Sequence, residues 1–286
     1  MNNRYDVDFS GEWVRLTGGY ESDVYRVGDV VVRISPEWRK SPDLQWVHDA
    51  VRHIHKAVWQ AIAPITANDG STFFRWEDKP ISVFPYVDAS RYTTYGSHER
   101  DEFAMILAQI HRAGYSLRDN PRPSGAMTQI PDDFSDPDSI LDSDLDDWYE
   151  NTFLAQNPTM GLVHGDYYRA NILGEVGHRV EAVIDWDECE IRPIIGEVAW
   201  STWEICKSDD GTTLNFPEAQ HFIEVYRRNM NILPDHEYDG IIPLIRRHLR
   251  YEVRRALMWK SQGHDVDEDY LNAEIEAFHN LRDKSL

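Results

Sequence analysis

The chain has 286 residues, 41% of them hydrophobic, which suits one large folded domain or two modest ones and excludes a disordered chain. Lys and Arg number 29 against 50 Asp and Glu, a formal charge of −21 that repels phosphate backbones and anionic lipid and so argues against nucleic-acid and membrane partners. Cys189 and Cys206 stand in no metal or redox spacing, the polar start has neither the basic head nor the apolar run of a signal peptide, and no stretch nears the ~20 apolar residues of a membrane span, so a soluble cytoplasmic protein is expected.

The first third reads as strands. "EWVRLTGG" ends in a glycine pair, and "DVYRVGDVVVRIS" reads as two strands joined by a tight turn at Gly28-Asp29. Ser41-Pro42-Asp43 resembles a helix start, and Trp46, Val47, Val51, Ile54, Val58 and Ile62 fall near helical spacing, so a helix is expected from Leu44 to Ile62. "STFFRWEDKPISVFPYVD" supplies two more strands around a turn at Asp78-Lys79-Pro80. Strands, one helix, then strands closing near Asp88 is a mixed sheet rather than a βαβ series.

The remainder is mainly helical. "HERDEFAMILAQIHRAG" puts Phe103, Ile106, Leu107, Ile110 and His111 on one face, and Arg118 to Ile130 reads as a loop broken by Pro121, Pro123 and Gly125. "EAQHFIEVYRRNMNIL", "DGIIPLIRRHLRYEVRRALMWKSQG" and "DEDYLNAEIEAFHNLRD" are further helices, with Pro243 tolerable near the start of the second. No internal repeat is visible.

Two stretches carry chemistry: "LVHGDYYRANIL", Leu162 to Leu173, and "VIDWDECEIRP", Val183 to Pro193. The first is an apolar strand end delivering Asp166, with Asn171 five residues on. The second is a strand ending in Asp185. Gly174 and Gly177 between them are turn signals, so a hairpin-like unit would bring Asp166, Asn171 and Asp185 to one end. Such hard oxygen donors suit Mg²⁺, which keeps waters and holds substrate phosphates, rather than zinc. The plain alternative is a pair of ordinary Asp-containing turns.

"HGDYYRAN" followed by "VIDWDECEIRP" resembles the aminoglycoside phosphotransferase and choline kinase-like family, a branch of the protein-kinase fold. "LTGGYESDVYRV" is similar to its nucleotide loop, "VVVRI" to its third strand, "SVFPYVD" to its interlobe hinge and "LAQIHRAG" to the helix before the catalytic loop. The resemblance implies an α+β, two-lobe fold. A small β-rich N-lobe, residues 1–88, would bind nucleotide, and a larger, mostly helical C-lobe, residues 89–286, would carry the catalytic loop and acceptor site.

It further implies an ATP-dependent small-molecule kinase that moves a γ-phosphate to an acceptor hydroxyl, in place of a nucleotide-binding pseudokinase without turnover. In that reading Asp166 orients the hydroxyl and accepts its proton, Asn171 and Asp185 hold Mg²⁺, and His164 braces the loop. Gly18 and Gly19 approach the phosphates, Arg33 pairs with them, Val24 and Val31 roof the adenine, Leu173 and Ile184 floor it, and Phe84 and Tyr86 lie at the hinge. The plain alternatives are a hairpin turn for the glycines and core packing for the apolar residues.

Several positions depart from the commonest kinase pattern. The third-strand base is Arg33 rather than Lys, and its helix acid is not obvious; Asp49 is the expectation over Glu37. Glu197 in "PIIGEVAW" stands where an Asp is usual, and a structural role is expected. Tyr168 replaces the Lys of protein kinases. Arg169 either reaches the phosphate or forms a salt bridge to the C-lobe, and Asp187 is either a second metal contact or a surface or capping acid. The stretch from Asp132 to Glu150 holds nine carboxylates and no base; lining the acceptor site, it would favour a cationic acceptor such as an aminoglycoside, amino sugar, choline or homoserine-like molecule, and the plain alternative is a solvated acidic loop in a chain that is acidic throughout.

Overall fold

The computed structural model describes residues 4–16, 22–124 and 144–286. Its first third builds an antiparallel sheet from β1 (Val14–Leu16), β2 (Asp23–Val27), β3 (Val30–Ile34), β4 (Phe73–Trp76) and β5 (Lys79–Pro85), in the order β1-β2-β3-β5-β4. Gly28 makes the β2–β3 turn with φ of 57°, a left-handed conformation that costs glycine little. The β4–β5 turn lies at Glu77 and Asp78, with φ of 46° and 63°. Both central residues are left-handed, as a type I′ two-residue turn requires, so Lys79 and Pro80 belong to β5 and not to the expected turn.

Register separates the two faces of the sheet. Val24 opposes Arg33, Val31 opposes Phe84, and Arg33 opposes Ser82; directly opposed residues share a face. The other face carries Val27, Val30, Val32, Ile81 and Val83, which pack on Tyr5 and Phe9 from the N-terminal segment. With its back so covered, the sheet turns Arg33, Val24 and Val31 toward the rest of the chain.

Helix α1 (Ser41–His55) starts with Pro in its first turn and ends with Arg52, His53 and His55, both favourable placements for helix ends. The helix stops seven residues short of the expected Ile62. Past it, Val183 N–H donates to Gln60 O, Ile62 N–H to Val183 O and Ile65 N–H to Val83 O. A continued helix would use those backbone groups internally, so pairing with two strands ends it. Val58 and Ala61 are buried all the same.

Beyond the two-residue strand β6 (Ser90–Arg91), the C-terminal part packs α2 (Ser97–Gly114), α3 (Asp144–Trp148), α4 (Ile194–Cys206), α5 (Phe216–Asn229), α6 (Ile241–Ser261) and α7 (Glu268–Asn280). Phe103, Leu107, Ile110, Val198, Trp203, Phe222 and Leu249 form one core with the small strands, each buried side chain contributing about 1.5–3 kcal/mol. The expected α2 face is buried throughout. Strand β7 (Met160–Val163) pairs with β10 (Glu190–Pro193), and β8 (Ile172–Gly174) pairs with β9 (Val180–Val183). The hairpin expected between "NIL" and "RVEAVI" is therefore β8–β9. Both cysteines are buried and unpaired. Among the described residues no helix is long and apolar enough to cross a membrane.

Candidate active site

β7 ends at Val163 and delivers His164, Gly165 and Asp166. His164 is fully buried, with Nε2 3.0 Å from Ile184 O while Nδ1 accepts from Asp166 N–H at 3.2 Å. An accepting Nδ1 requires the neutral ring with its proton on Nε2. Burial lowers its pKa despite the nearby Glu197, which keeps the ring in that form. His164 braces the loop, as expected.

Glu197 holds the same loop from α4. Its Oε2 accepts from His164 N–H at 2.8 Å and His111 Nε2 at 2.7 Å, and its Oε1 accepts from Gly165 N–H at 2.5 Å. His111 Nδ1 lies 2.7 Å from the Tyr226 hydroxyl, extending the chain of contacts into α5. Burial would raise the Glu197 carboxyl, but His111 and the loop N–H groups outweigh it and hold it low. A buried carboxylate with this many donors is stable as the anion.

Asp166 sits at the mouth of this scaffold. Asn171 donates Nδ2 to the Asp166 carbonyl at 3.0 Å and to its Oδ2 at 2.8 Å. Both partners are acceptors, which fixes the amide orientation and turns Asn171 Oδ1 away from Asp166. Burial, then Glu188 and Asp185, push the Asp166 carboxyl up to about 7. Its proton affinity thus falls near neutrality, where a proton acceptor works best.

The β8–β9 hairpin brings Asp185 to the same end. Ile184 N–H donates to Asn171 O at 2.9 Å. Asp185 follows with φ of 63°, a conformation uncommon outside glycine that recurs at functional sites. Its side chain is 47% exposed and lies 3.6 Å from Arg33. Gly165 is required by close approach as well as by its φ of 89°: a Cβ there would lie 2.3 Å from Glu188 O.

One carboxylate, Asp185, and one amide oxygen, Asn171 Oδ1, form a hard donor pair of the kind that fits Mg²⁺ with retained waters. Among the described residues no group of three or more His, Cys, Asp or Glu is arranged to hold a metal by itself. Strand alternation sets Leu173 and Ile184 opposite the buried Ile172 and Val183, and both are partly exposed. Phe84 and Tyr86 are partly exposed at the exit from the sheet, where Tyr86 N–H donates to Asp29 O at 2.8 Å.

Residues 12–228 match the phosphotransferase enzyme family. The chain belongs to that family. No curated protein matches it. An amicoumacin kinase, hAmiN, in complex with AMP-PNP, Ca²⁺ and Ami superposes with a TM-score of 0.68 at 14% identity, over 98% of this chain and 91% of that one. A spectinomycin phosphotransferase, APH(9)-Ia, in complex with ADP and spectinomycin superposes at 0.60 and 13%, over 98% and 92%. A choline/ethanolamine kinase family protein from Mesorhizobium loti superposes at 0.62 and 15%, over 96% and 90%. The fold is kinase-like and α+β, as expected, and the chain is a phosphotransferase by family.

In this phosphotransferase some expected placements change. Asp49 is 57% exposed and pairs with Arg52, so it is not the partner of Arg33. Glu37 is exposed too. The partner is Asp187, whose Oδ2 accepts from Arg33 Nη2 and, at 2.7 Å, from Arg39 Nη2. At 13% side-chain exposure Asp187 is not a surface acid. Burial would raise its carboxyl, but Arg33 and Arg39 hold it low. Arg169 makes no salt bridge among the described residues and is exposed.

Gly18, Gly19 and residues 132–143 of the acidic stretch lie outside the described residues. In its described part Asp146 is engaged by Arg250 and, at 3.6 Å, by Arg247. That acid is neutralised by α6, so it does not supply free negative charge to an acceptor. Glu188, next to Asp166 in the field that raises its pKa, has no ion pair among the described residues. No pattern in the sequence marked Glu188, because its proximity depends on Gly165 closing against the 186–188 turn.

Proposed function

We propose that this phosphotransferase transfers the γ-phosphate of ATP to a hydroxyl of a small acceptor carrying a cationic group. The observation that carries the proposal is Asp166: a partly buried carboxylate, held by Asn171, on a loop braced by Glu197, with its pKa raised to about 7. Asp166 accepts the acceptor's hydroxyl proton as the new oxygen–phosphorus bond forms and the bond to the β-phosphate oxygen breaks, releasing ADP. In such reactions the protein mainly aligns groups and neutralises charge.

Residues 1–88 form the nucleotide lobe in this proposal and residues 89–286 the acceptor lobe. Val24 and Val31 roof the base, Leu173 and Ile184 floor it, Phe84 and Tyr86 border it, and Gly18, Gly19 and Arg33 serve the phosphates. Asn171 Oδ1 and Asp185 would hold Mg²⁺, which when bound neutralises phosphate charge. The nucleotide complexes of the two antibiotic kinases support ATP as donor. A cationic acceptor is supported by Glu188, which with Asp185 adds negative charge near Asp166; Glu204 is already paired with Lys207 at 2.6 Å.

The test is a panel of acceptors with coupled ADP release: aminoglycosides, amino sugars, choline and homoserine against neutral sugars. Turnover with a cationic member and none with neutral sugars is expected. Turnover confined to neutral sugars would overturn the cationic reading.

A further inference from the structure

β3 delivers Arg33 to the inner sheet face, where Nε donates to Ser22 Oγ at 3.1 Å. α1 packs across that face, and His48 contacts Phe73 and Phe84 edge-on. No acid of α1 serves Arg33. Asp43 accepts Ser124 N–H at 3.0 Å, and Asp49 points to Arg52. His48 is buried with Nδ1 2.8 Å from Thr72 Oγ1.

The acid comes instead from the turn after Asp185. One oxygen of Asp187 accepts from both Arg33 and Arg39, and Arg39 is 2% exposed. Arg122 Nη1 donates to Asp187 O at 2.7 Å and pins the backbone. Arg33 Nη2 also lies 3.6 Å from Asp185 Oδ1. Two guanidiniums held by one carboxylate are planar donors of the kind that recognise a polyphosphate.

We propose that Asp187 is the positioning residue that holds Arg33 toward the nucleotide phosphates, with Arg39 as its second arm, and that this contact ties the sheet to the turn carrying Asp185. The inference rests on the nucleotide reading above and adds to it a residue that replaces the missing helix acid.

The test is calorimetry of ADP and adenosine binding to Asp187→Asn, with Mg²⁺ and again in EDTA. ADP affinity is expected to fall about tenfold in both conditions, the scale of one charge-assisted contact, while adenosine stays within about twofold. Adding Asp187→Asn to Arg33→Met should change ADP affinity less than about twofold, because the effect passes through Arg33. A loss confined to Mg²⁺ would make Asp187 a metal ligand and overturn the inference. Equal losses for adenosine and ADP would reduce it to a fold contact, and unchanged affinity would refute it outright.

Should Asp187→Asn fail to fold, Asp187→Glu keeps the charge and displaces Arg33 by one methylene, and the same ADP-selective loss is expected of it. A wild-type protein that binds neither ligand would overturn the nucleotide reading instead. The pairing would then be judged by thermal melting of the single and double variants, where additive effects refute it and non-additive effects support it.

Discussion

Asn171 and Asp166 are joined through a side-chain amide that lies 2.8 Å from the carboxylate and 3.0 Å from the carbonyl of the same residue. Replacing that amide by a carboxylate would keep a metal-compatible oxygen yet set two acceptors against each other. Asn171→Asp is therefore expected to lower kcat by about a hundredfold, since like charges at this range raise the proton affinity of the base and misalign it. An unchanged kcat at saturating substrates would show that Asn171 acts on metal alone.

Gly165 is the point where the catalytic loop meets the 186–188 turn. A Cβ there would fall 2.3 Å from Glu188 O, against backbone rather than a movable side chain. Gly165→Ala should cost on the order of 1–3 kcal/mol and remove most turnover. Melting and rate measurements that both match the wild type would contradict the close packing of loop and turn.

Glu197 collects the loop's N–H groups and His111 in one buried carboxylate. Glu197→Gln puts an amide among those donors and should destabilise the protein by about 1.5–3 kcal/mol, the scale of buried hydrogen bonds to a charged group. Urea unfolding would show it as a lower midpoint at constant slope. A change below about 1 kcal/mol would mean the brace is dispensable.

Much of this was legible in the sequence, for identifiable reasons. The β2–β3 hairpin shows because Gly28 marks the turn and β-branched residues fill the flanks. α2 shows because one helical stripe is apolar. α4 does not show, because it is buried on nearly every side and so has no polar face to set a period. The partner of Arg33 was hidden because the pair spans 154 positions in sequence, whereas a helix acid such as Asp49 stood at the expected distance. The clustering of Asp166, Asn171 and Asp185 was suggested by spacing and their roles by the family resemblance, and the fold brings them to one end of two strand pairs, β7–β10 and β8–β9.

Glu274 on α7 offers a pH signature away from the loop. It is 2% exposed, and its Oε2 has no hydrogen-bond partner among the described residues. Burial pushes its carboxyl up to about 8 from the ordinary 4.5; Lys207 opposes the rise, and Glu204 and Glu252 add to it. The folded protein thus holds this proton more tightly than the unfolded chain. Stability from this group is full below about 4.5 and is lost as pH rises toward about 8. Glu274→Gln should gain on the wild type across that window, by at least about 2 °C in Tm between pH 5 and pH 8.5. A Tm difference independent of pH would contradict the buried neutral acid.

The central claim is that Asp166 serves the acceptor hydroxyl while Asp185 serves the nucleotide. Calorimetry of Mg²⁺-ATP binding to the wild type, Asp166→Asn and Asp185→Ala tests it most directly. Asp166→Asn is expected to bind within about threefold of the wild type and to lose turnover, whereas Asp185→Ala should bind at least about tenfold more weakly. Equal losses of affinity in the two variants, or a wild type that binds no Mg²⁺-ATP, would contradict it.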